Sequence, residues 1–305
     1  MSIFLPVQAS AAEKSCSVLF ICNEYPEYSF PGDPLLFWDD MENYLAKYNF
    51  SLSRKNLEMI RYEDLRAYDI VVFSPLWRHL KKTDITPSEG EALVQYVENG
   101  GGLFLLMGGY YGPLIPKLNS YCEKYFGIGF VSGEVLASDD WLTIKDLKPH
   151  PTTAGVDKFS FWRKAGALEL QPPAQGVAYT DSNCWLDLDT GRQKDPEEPS
   201  GPFPVMAVSQ YGTGKVVAIT DRQWFHDPKD SSLKKLGPDS RKLLLNILQW
   251  LSNKTGDSSA QELKPDNQTS LLVSKEYKKL KSIFKEKIVI PQDEPWNLYY
   301  YENEA

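Results

Sequence analysis

The feature that most constrains this chain is a glycine-framed turn that comes directly after an apolar run. The run Leu103–Met107 leads into the sequence Gly108-Gly109-Tyr110-Tyr111-Gly112. A short apolar run of this kind predicts a buried strand. A G-x-X-x-G turn after a strand is typical of a nucleophile elbow, in which the turn lifts its middle side chain above the edge of the sheet. Glycines permit the close backbone approach that this turn needs, so we predict a strand, a tight turn and a following helix.

The middle position of the predicted elbow is Tyr110. Enzymes that use this turn have Ser or Cys there, because acyl transfer needs a nucleophile that a neighbouring base activates. A tyrosine phenol has an ordinary pKa of about 10, and the sequence shows no base beside Tyr110. The chain thus keeps the frame of a catalytic site without its nucleophile. This favours a binding or scaffold role, that of a pseudoenzyme, over catalysis.

The segments around the elbow alternate between strand and helix patterns. Thr86, Pro87 and Glu89 predict the N-cap, the first residue and the capping-box partner of a helix that ends at Asn99-Gly100-Gly101-Gly102. Alternating strands and helices indicate a mostly parallel sheet with right-handed crossovers. The other predicted elements are strands over Ser17–Cys22 and Ile70–Phe73, and helices opened by Asp33 and Pro34, over Leu114–Phe126 and over Asp239–Leu251.

Residues 132–200 interrupt the alternation with short strand-like runs and Pro-rich turns. We predict a β-rich insertion there, lying as a flap over the strand ends. The runs Pro204–Ser209 and Lys215–Thr220 flank Tyr211-Gly-Thr-Gly214 and predict an antiparallel hairpin. The chain then divides into a leader (1–15), an α/β domain (16–252), and a polar linker with a basic helix and an aromatic-acidic tail (253–305).

Composition limits the classes of partner. The net charge of −8 argues against nucleic-acid or anionic-membrane binding, since both rely on clustered Lys and Arg. No run of about eighteen apolar residues occurs, so we predict no integral membrane segment. The 42% hydrophobic and 24% charged residues are typical of a soluble globular domain. We expect a protein partner or a small ligand.

Two features depend on the compartment of the protein. The first twelve residues are apolar and contain Ala9-Ser10-Ala11, which is similar to a signal-peptide cleavage site, but they lack a basic start. Two hypotheses stay open: a cytoplasmic protein with a short leader, or an exported one whose natural start lies upstream. A disulfide is expected only in an exported chain. The spacing of the cysteines predicts no zinc site; they are Cys16, Cys22, Cys122 and Cys184.

Several segments, taken in order, resemble the class I glutamine amidotransferase-like superfamily in its noncatalytic branches. These branches include ThuA-like proteins and the amidotransferase-like domain of gliding-motility and intraflagellar-transport proteins. The resemblance covers about residues 16–252 and implies a flavodoxin-like or amidotransferase-like three-layer α/β sandwich. The segments that resemble the superfamily are Asp69–Ser74, Thr86–Glu89, Val97–Leu106, Tyr125–Ile128, His150–Val156, Tyr211–Asp221 and Leu243–Leu251.

The resemblance also bears on chemistry. In a working amidotransferase a Cys at the elbow attacks the glutamine amide, and a His followed closely by a Glu activates it; in this chain Tyr110 takes the Cys position. The segment Gln223–Pro228 only weakly resembles the Q-F-H-P-E sequence that holds that His. We therefore predict no glutamine hydrolysis and no cofactor. The predicted binding residues are Gly108, Gly109, Tyr110, Tyr111, Arg222, Trp224, His226 and Asp227.

Two alternatives remain. One is a metal-dependent hydrolase or sugar-related enzyme of ThuA-like type, in which His150, Asp221, His226 and Asp227 would suit a divalent cation. In the simpler interpretation, which we favour, there is no metal site: Asp221 supports a turn and His150 is a surface residue. The other alternative is a structural subunit that docks through its C-terminal tail. Aromatic residues near predicted loops either form a binding rim or fill the core; they include Trp141, Trp162, Trp185, Trp224 and Phe225.

Overall fold

The structure is a computed structural model and describes residues 15–22, 34–75, 85–108, 114–137, 141–162, 165–188, 191, 193–221, 224–225 and 235–252. The helices are α1 Trp38–Ala46, α2 Tyr62–Leu65, α3 Pro87–Glu98, α4 Leu114–Tyr121 and α5 Pro238–Leu251. The strands are β1 Cys16–Ile21, β2 Phe50–Lys55, β3 Ile70–Phe73, β4 Gly102–Leu106, β5 Ile128–Leu136, β6 Trp141–Ile144, β7 Asp146–Leu147, β8 Phe159–Trp162, β9 Ala165–Leu170, β10 Gln175–Tyr179, β11 Trp185–Asp187, β12 Pro204–Tyr211 and β13 Gly214–Ile219. The predicted tail lies outside the described residues.

The main sheet has eight strands in the order β2-β1-β3-β4-β13-β12-β10-β7. The first five strands are parallel to their neighbours, and the last three run antiparallel to theirs. With β13 as the fifth strand, the parallel part follows the 2-1-3-4-5 order of flavodoxin-like sheets. The predicted α/β class with a large, mostly parallel sheet is confirmed. The three-layer arrangement stays a prediction.

The central strands have the sequence that burial on both faces requires. Every residue of β3 and β4 is buried, which explains their continuous apolar runs. The edge strand β2 is different. Its sequence, Phe50-Ser-Leu-Ser-Arg-Lys55, has only two apolar residues, and its two serines, arginine and lysine are not residues that favour strands. Its full pairing with β1 defines it as a strand, and the sequence pattern did not predict it.

The capping box of α3 is confirmed and explains a buried carboxylate. The Thr86 hydroxyl accepts a hydrogen bond from the Glu89 amide at 3.4 Å, and Glu89 Oε2 accepts one from the Thr86 amide at 3.0 Å. The other oxygen, Glu89 Oε1, accepts a hydrogen bond from the Ile60 amide at 3.0 Å. Glu89 therefore joins the start of α3 to the segment before α2, although it is only 2% exposed.

Two predicted helices differ in detail from the structure. The helix expected from Asp33 and Pro34 starts as a 3₁₀ turn over Pro34–Phe37, and the α-helix begins at Trp38; such turns are common at helix starts. The helix after the elbow ends as predicted before Gly127, but its last turn, Cys122–Phe126, is π-helical. Gly127 has a φ of 70°, a left-handed conformation that favours glycine at a helix end.

The predicted insertion forms short antiparallel strands, and it also supplies part of the main sheet. Strands β11, β5 and β9 form one small sheet, and β6 and β8 form another. Two further strands from this region, β7 and β10, extend the main sheet beyond β12. The amide of Gly166 in β9 donates a hydrogen bond to the carbonyl of Thr220 at 3.0 Å. The insertion therefore contacts the carboxyl end of β13. The predicted β12–β13 hairpin is confirmed.

Candidate functional site

The carboxyl ends of the parallel strands lie along one edge of the main sheet. Cys22 and Ser74 directly follow β1 and β3 at this edge, and Gly108 and Asp221 come two residues after the ends of β4 and β13. In open α/β sheets, ligands bind in the crevice beyond this edge. Gly108 is buried at the end of β4. The other elbow residues Gly109, Tyr110 and Tyr111 lie outside the described residues, as do Arg222, His226 and Asp227, so their roles stay predictions.

Two of these residues are neighbours across β1 and β3. The parallel pairing of these strands joins Phe20 to Val72 and Ile21 to Phe73. Continuing this register places Cys22 beside Ser74, on the same face as Phe20 and Val72, because side chains alternate between faces. Both residues are fully buried. The sequence showed each as the residue after an apolar run, but their proximity depends on the pairing of two strands that are fifty residues apart in the chain.

The end of β13 is tied to its surroundings by backbone hydrogen bonds. The Met107 amide donates to the Ile219 carbonyl at 3.2 Å, and the Thr220 amide donates to the Val205 carbonyl at 3.1 Å. The β4–β13 register pairs Leu106 with Ile219, which places Asp221 opposite Gly108 at the sheet edge. Asp221 is buried, with only 3% of its surface exposed.

Polar atoms at this edge have hydrogen-bonding capacity that the described fold does not use. Ser74 Oγ and Thr220 Oγ1, at this edge, and Trp224 Nε1, whose ring lies near Phe104, are buried and have no hydrogen-bond partner among the described residues. The same is true of atoms of Trp185 and Ser209 in other strands. An unsatisfied buried donor or acceptor costs about 1–3 kcal/mol, and native structures normally satisfy such groups. The carboxyl edge is therefore suited to a polar group that comes from outside the described residues.

The aromatic residues at this edge belong mainly to the core. Trp224 is fully buried, stacks on Phe225 with ring centroids 4.3 Å apart, and lies 6.1 Å from Phe104. Its carbonyl accepts a hydrogen bond from the Ser240 hydroxyl at 2.6 Å, which holds it at the start of α5. The core-filling interpretation thus applies to Trp224 and Phe225. Only the indole N–H of Trp224 remains as a polar group for a site.

His150 lies in a different environment from the one that a shared metal site would need. Its Nδ1 accepts a hydrogen bond from the Thr152 amide at 3.2 Å and lies 2.8 Å from the Thr152 hydroxyl. Its ring meets the Trp250 ring edge-on at 5.1 Å. Lys215 Nζ donates to the Trp250 carbonyl at 3.0 Å. Burial, with a smaller contribution from the positive charge of Lys215, lowers the pKa of His150 to about 4.

The structure does not bring His150 to Asp221. Lys215 stands near the start of β13, whereas Asp221 follows its end, and a strand rises about 3.3 Å per residue, so their backbones are about 20 Å apart. His150 packs at the Lys215 end because its turn docks against α5, whose last residues include Trp250. Among the described residues no group of three or more His, Cys, Asp and Glu side chains is placed to hold a metal ion.

These observations define the class of the protein. It is an α/β protein with a flavodoxin-order parallel sheet, an antiparallel extension, and a buried polar edge at the carboxyl ends of the strands. Within the described residues, no helix has both the length and the apolar character that crossing a bilayer demands. All four cysteines are buried, and none forms a disulfide.

Comparison with known proteins places this fold among solved structures. No family model and no curated protein matches the chain. The chain is similar to the mmIFT52 N-terminal domain, with a TM-score of 0.56 and 19% identity over 79% of this chain and 99% of that one. It is also similar to the cytoplasmic protein STM1381 from Salmonella typhimurium LT2, with a TM-score of 0.50 and 16% identity over 77% of this chain and 99% of that one. A ThuA-like protein from Bacteroides uniformis matches at a TM-score of 0.49 and 15% identity, over 83% of this chain and 97% of that one.

At these identities the similarity concerns the fold alone, because one fold hosts many functions. At the level of the fold, the predicted resemblance to the domain of intraflagellar-transport proteins is confirmed. It identifies neither a ligand nor a partner for this chain.

Proposed function

We propose that this chain is a noncatalytic amidotransferase-like module that binds a protein partner or a small ligand at the carboxyl ends of its parallel strands. The observation that supports the proposal is that two buried hydroxyls at this edge, Ser74 Oγ and Thr220 Oγ1, lack hydrogen-bond partners among the described residues. A bound polar group that reaches one of them would recover part of the roughly 1–3 kcal/mol that an unsatisfied buried group costs.

The opposite edge of the sheet provides the contrast. There, the Asp69 carboxylate accepts hydrogen bonds from the Ser17 amide at 2.7 Å and the Ser17 hydroxyl at 2.8 Å. Tyr96 donates its hydroxyl hydrogen to the Tyr68 carbonyl at 3.1 Å. These polar groups are explained by the fold itself. The buried hydroxyl of Ser209, on β12, is an exception and serves below as a matched control.

The noncatalytic part of the proposal depends on Tyr110. Without a thiol or an activated hydroxyl at the elbow, the covalent step of glutamine hydrolysis has no nucleophile. The metal-dependent alternative loses His150, which lies at the other end of β13, and would have to rely on Asp221, His226 and Asp227. Docking through the C-terminal tail involves only residues outside the described part of the chain, so it stays a separate prediction.

Native mass spectrometry of the full-length protein, purified untagged from its natural source, tests the proposal. We expect a retained ligand or protein partner, and we expect Thr220→Val, which removes a hydroxyl with little change of shape, to reduce its occupancy. Ser209→Ala removes a comparable buried hydroxyl elsewhere and should leave occupancy unchanged. Equal losses in both variants would contradict binding at the carboxyl edge.

Two further measurements address the enzyme alternatives. Glutamine turnover by the pure protein would contradict the noncatalytic assignment. A stoichiometric divalent metal, detected by elemental analysis and lost in a variant with Asp221→Ala and His226→Ala, would instead favour the metal-dependent hydrolase. We expect neither result, because the first lacks its nucleophile and the second lacks His150.

A further inference from the structure

We propose that the turn of residues 150–154 is an acid-sensitive latch, which holds the insertion to α5 while His150 is neutral and opens when the His150 ring takes up a proton. The inference goes beyond the proposed function and does not depend on it, because the turn lies at the opposite end of β13 from the carboxyl edge. It assigns to His150 a role other than that of a metal ligand or a surface residue.

The turn is held to α5 mainly by polar contacts. It lies in the connection between β7 and β8, two strands of the insertion. The side-chain amide of Asn246, on α5, donates a hydrogen bond to the Ala154 carbonyl at 2.8 Å, and Thr152 is fully buried. No apolar side chain of residues 150–156 is fully buried. A segment that buries so little apolar surface can open locally while the sheet stays folded.

The hydrogen bonding of the closed turn requires a neutral His150. A backbone amide can only donate, so the 3.2 Å hydrogen bond from the Thr152 amide needs an unprotonated Nδ1. A proton on Nδ1 removes this hydrogen bond and leaves two N–H groups facing each other. The amide of Thr153 donates to the His150 carbonyl at 3.0 Å, so the backbone of the same turn depends on the position of His150.

The charges around the ring also oppose the cation. Lys215 Nζ, on β13, donates to the Trp250 carbonyl at 3.0 Å and stands 5.2 Å from the centre of the Trp250 ring. The His150 ring meets the same indole edge-on at 5.1 Å. Burial and then the charge of Lys215 lower the pKa of His150 to about 4. The other described charged groups on the neighbouring elements are the exposed Lys242 on α5, the ion pair of Lys148 with Asp146 before the turn, and the exposed Asp157 and Lys158 after it.

The size of the response follows from the two states of the ring. In the open turn His150 is solvated and has its ordinary pKa of 6.5, whereas in the closed turn its pKa is about 4. Because the closed value is the lower one, the closed turn is fully favoured above pH 6.5 and loses this advantage as the pH falls toward 4. From pH 7.5 to pH 5, the ratio of open to closed molecules should rise by at most about thirtyfold, since partial exposure of the ring reduces the effect.

An NMR titration of the native full-length protein tests whether the closed turn excludes the cation. The chain has three histidines, and comparison with His150→Asn identifies the ring signal of His150. We expect this signal to titrate about one pH unit or more below 6.5. Titration at 6.5 would overturn the proposal, because the closed turn would then accept the cation as readily as the neutral ring.

Amide hydrogen exchange, also followed by NMR, tests the opening. The reporters are the amides of Thr152 and Thr153, and the control is the Cys22 amide, which donates to the Lys55 carbonyl in the main sheet. The protection factors of the reporters, which correct for the intrinsic effect of pH on exchange, should fall by up to about thirtyfold between pH 7.5 and pH 5. They should stay constant in His150→Asn, in which Asn still offers an acceptor to the Thr152 amide.

Dilute urea distinguishes local opening from unfolding of the whole domain. It should leave exchange of the reporters unchanged and accelerate exchange of the control, because local opening exposes little surface. The same urea dependence for reporters and control would overturn the latch, and so would an equal fall of protection with pH in His150→Asn.

A second variant keeps His150 and removes the hydrogen bond to α5. In Asn246→Ala the reporters should lose protection already at pH 7.5, and His150 should titrate closer to 6.5. Protection of the Cys22 amide verifies that the variant is folded, and Gln249→Ala, at an exposed position of the same helix, should change neither quantity. Unchanged protection and titration in folded Asn246→Ala would refute the attachment of the latch to α5.

Discussion

Replacing His150 by Asn should remove a pH dependence of stability that the folded structure creates. The ordinary pKa of His is 6.5, and burial together with the nearby charge of Lys215 lowers the pKa of His150 to about 4 in the folded protein. Among the described residues, the groups that face the ring are Trp250, Thr152 and Lys215, and none of these is a carboxylate that would stabilise the protonated form. The folded state therefore favours neutral His150.

The sign and size of the effect follow from the two pKa values. Because the pKa is lower in the folded state, the contribution of His150 to stability is complete above pH 6.5 and is lost as the pH falls toward 4. One pKa unit corresponds to about 1.4 kcal/mol. The loss is thus about 2 kcal/mol at pH 5 and on the order of 3 kcal/mol below pH 4. These are upper values, since part of the ring is exposed and solvent screens its charge.

Urea unfolding of the native protein and His150→Asn, at pH 7.5 and pH 5, measures this contribution. Asn retains an acceptor near the position of Nδ1 for the Thr152 amide, so the cap is preserved. The native protein should lose up to about 2 kcal/mol more than the variant over this interval. Other titrating groups cancel in the comparison. Parallel losses of stability in the two proteins would refute the reasoning, because they would mean that the fold does not disfavour the His150 cation.

Two further predictions concern the scaffold. Glu89→Ala leaves the Thr86 and Ile60 amides without their acceptor and should destabilise the protein by about 2–4 kcal/mol in urea unfolding. An alanine at the exposed Glu91 of the same helix should change the free energy of unfolding by less than about 0.5 kcal/mol. Similar losses in the two variants would contradict the assigned role of Glu89. Gly127→Ala introduces a Cβ into a left-handed position against a backbone carbonyl, whereas a Cβ at the equally left-handed Gly155 would make an ordinary contact with the Lys242 side chain at 3.7 Å. The first alanine variant should be less stable than the second by about 1–3 kcal/mol, measured as the difference in unfolding free energy, and equal stabilities would contradict the close packing at Gly127.

Much of the scaffold could be predicted from local patterns. The capping box at Thr86 and Glu89, the continuous apolar run of β3, and the turn between β12 and β13 each depend on residues that are close in the chain, and the structure confirms all three. The helix end at Gly127 is confirmed for the same reason. Such features depend on local backbone preference, which short stretches of sequence determine directly.

Other features depend on partners that are distant in the chain. The polar sequence of β2 becomes a strand by pairing with β1, and β7 and β10 join the main sheet although they lie within a segment predicted as an insertion. Nothing local distinguishes these strands from loops. Their backbone hydrogen bonds need acceptors and donors from strands tens of residues away, so whether these segments form strands depends on the tertiary structure.

For the candidate site too, some features could be predicted from the sequence and others depend on the tertiary structure. From the sequence alone, the fold class could be predicted, whereas the elbow without a nucleophile and a binding site at the strand ends stay predictions. Only the tertiary structure separated His150 from Asp221 by the length of a strand, and only strand pairing placed Cys22 beside Ser74. The physical reason is that side-chain chemistry is encoded residue by residue, whereas distances between side chains depend on which strands pair and in which register.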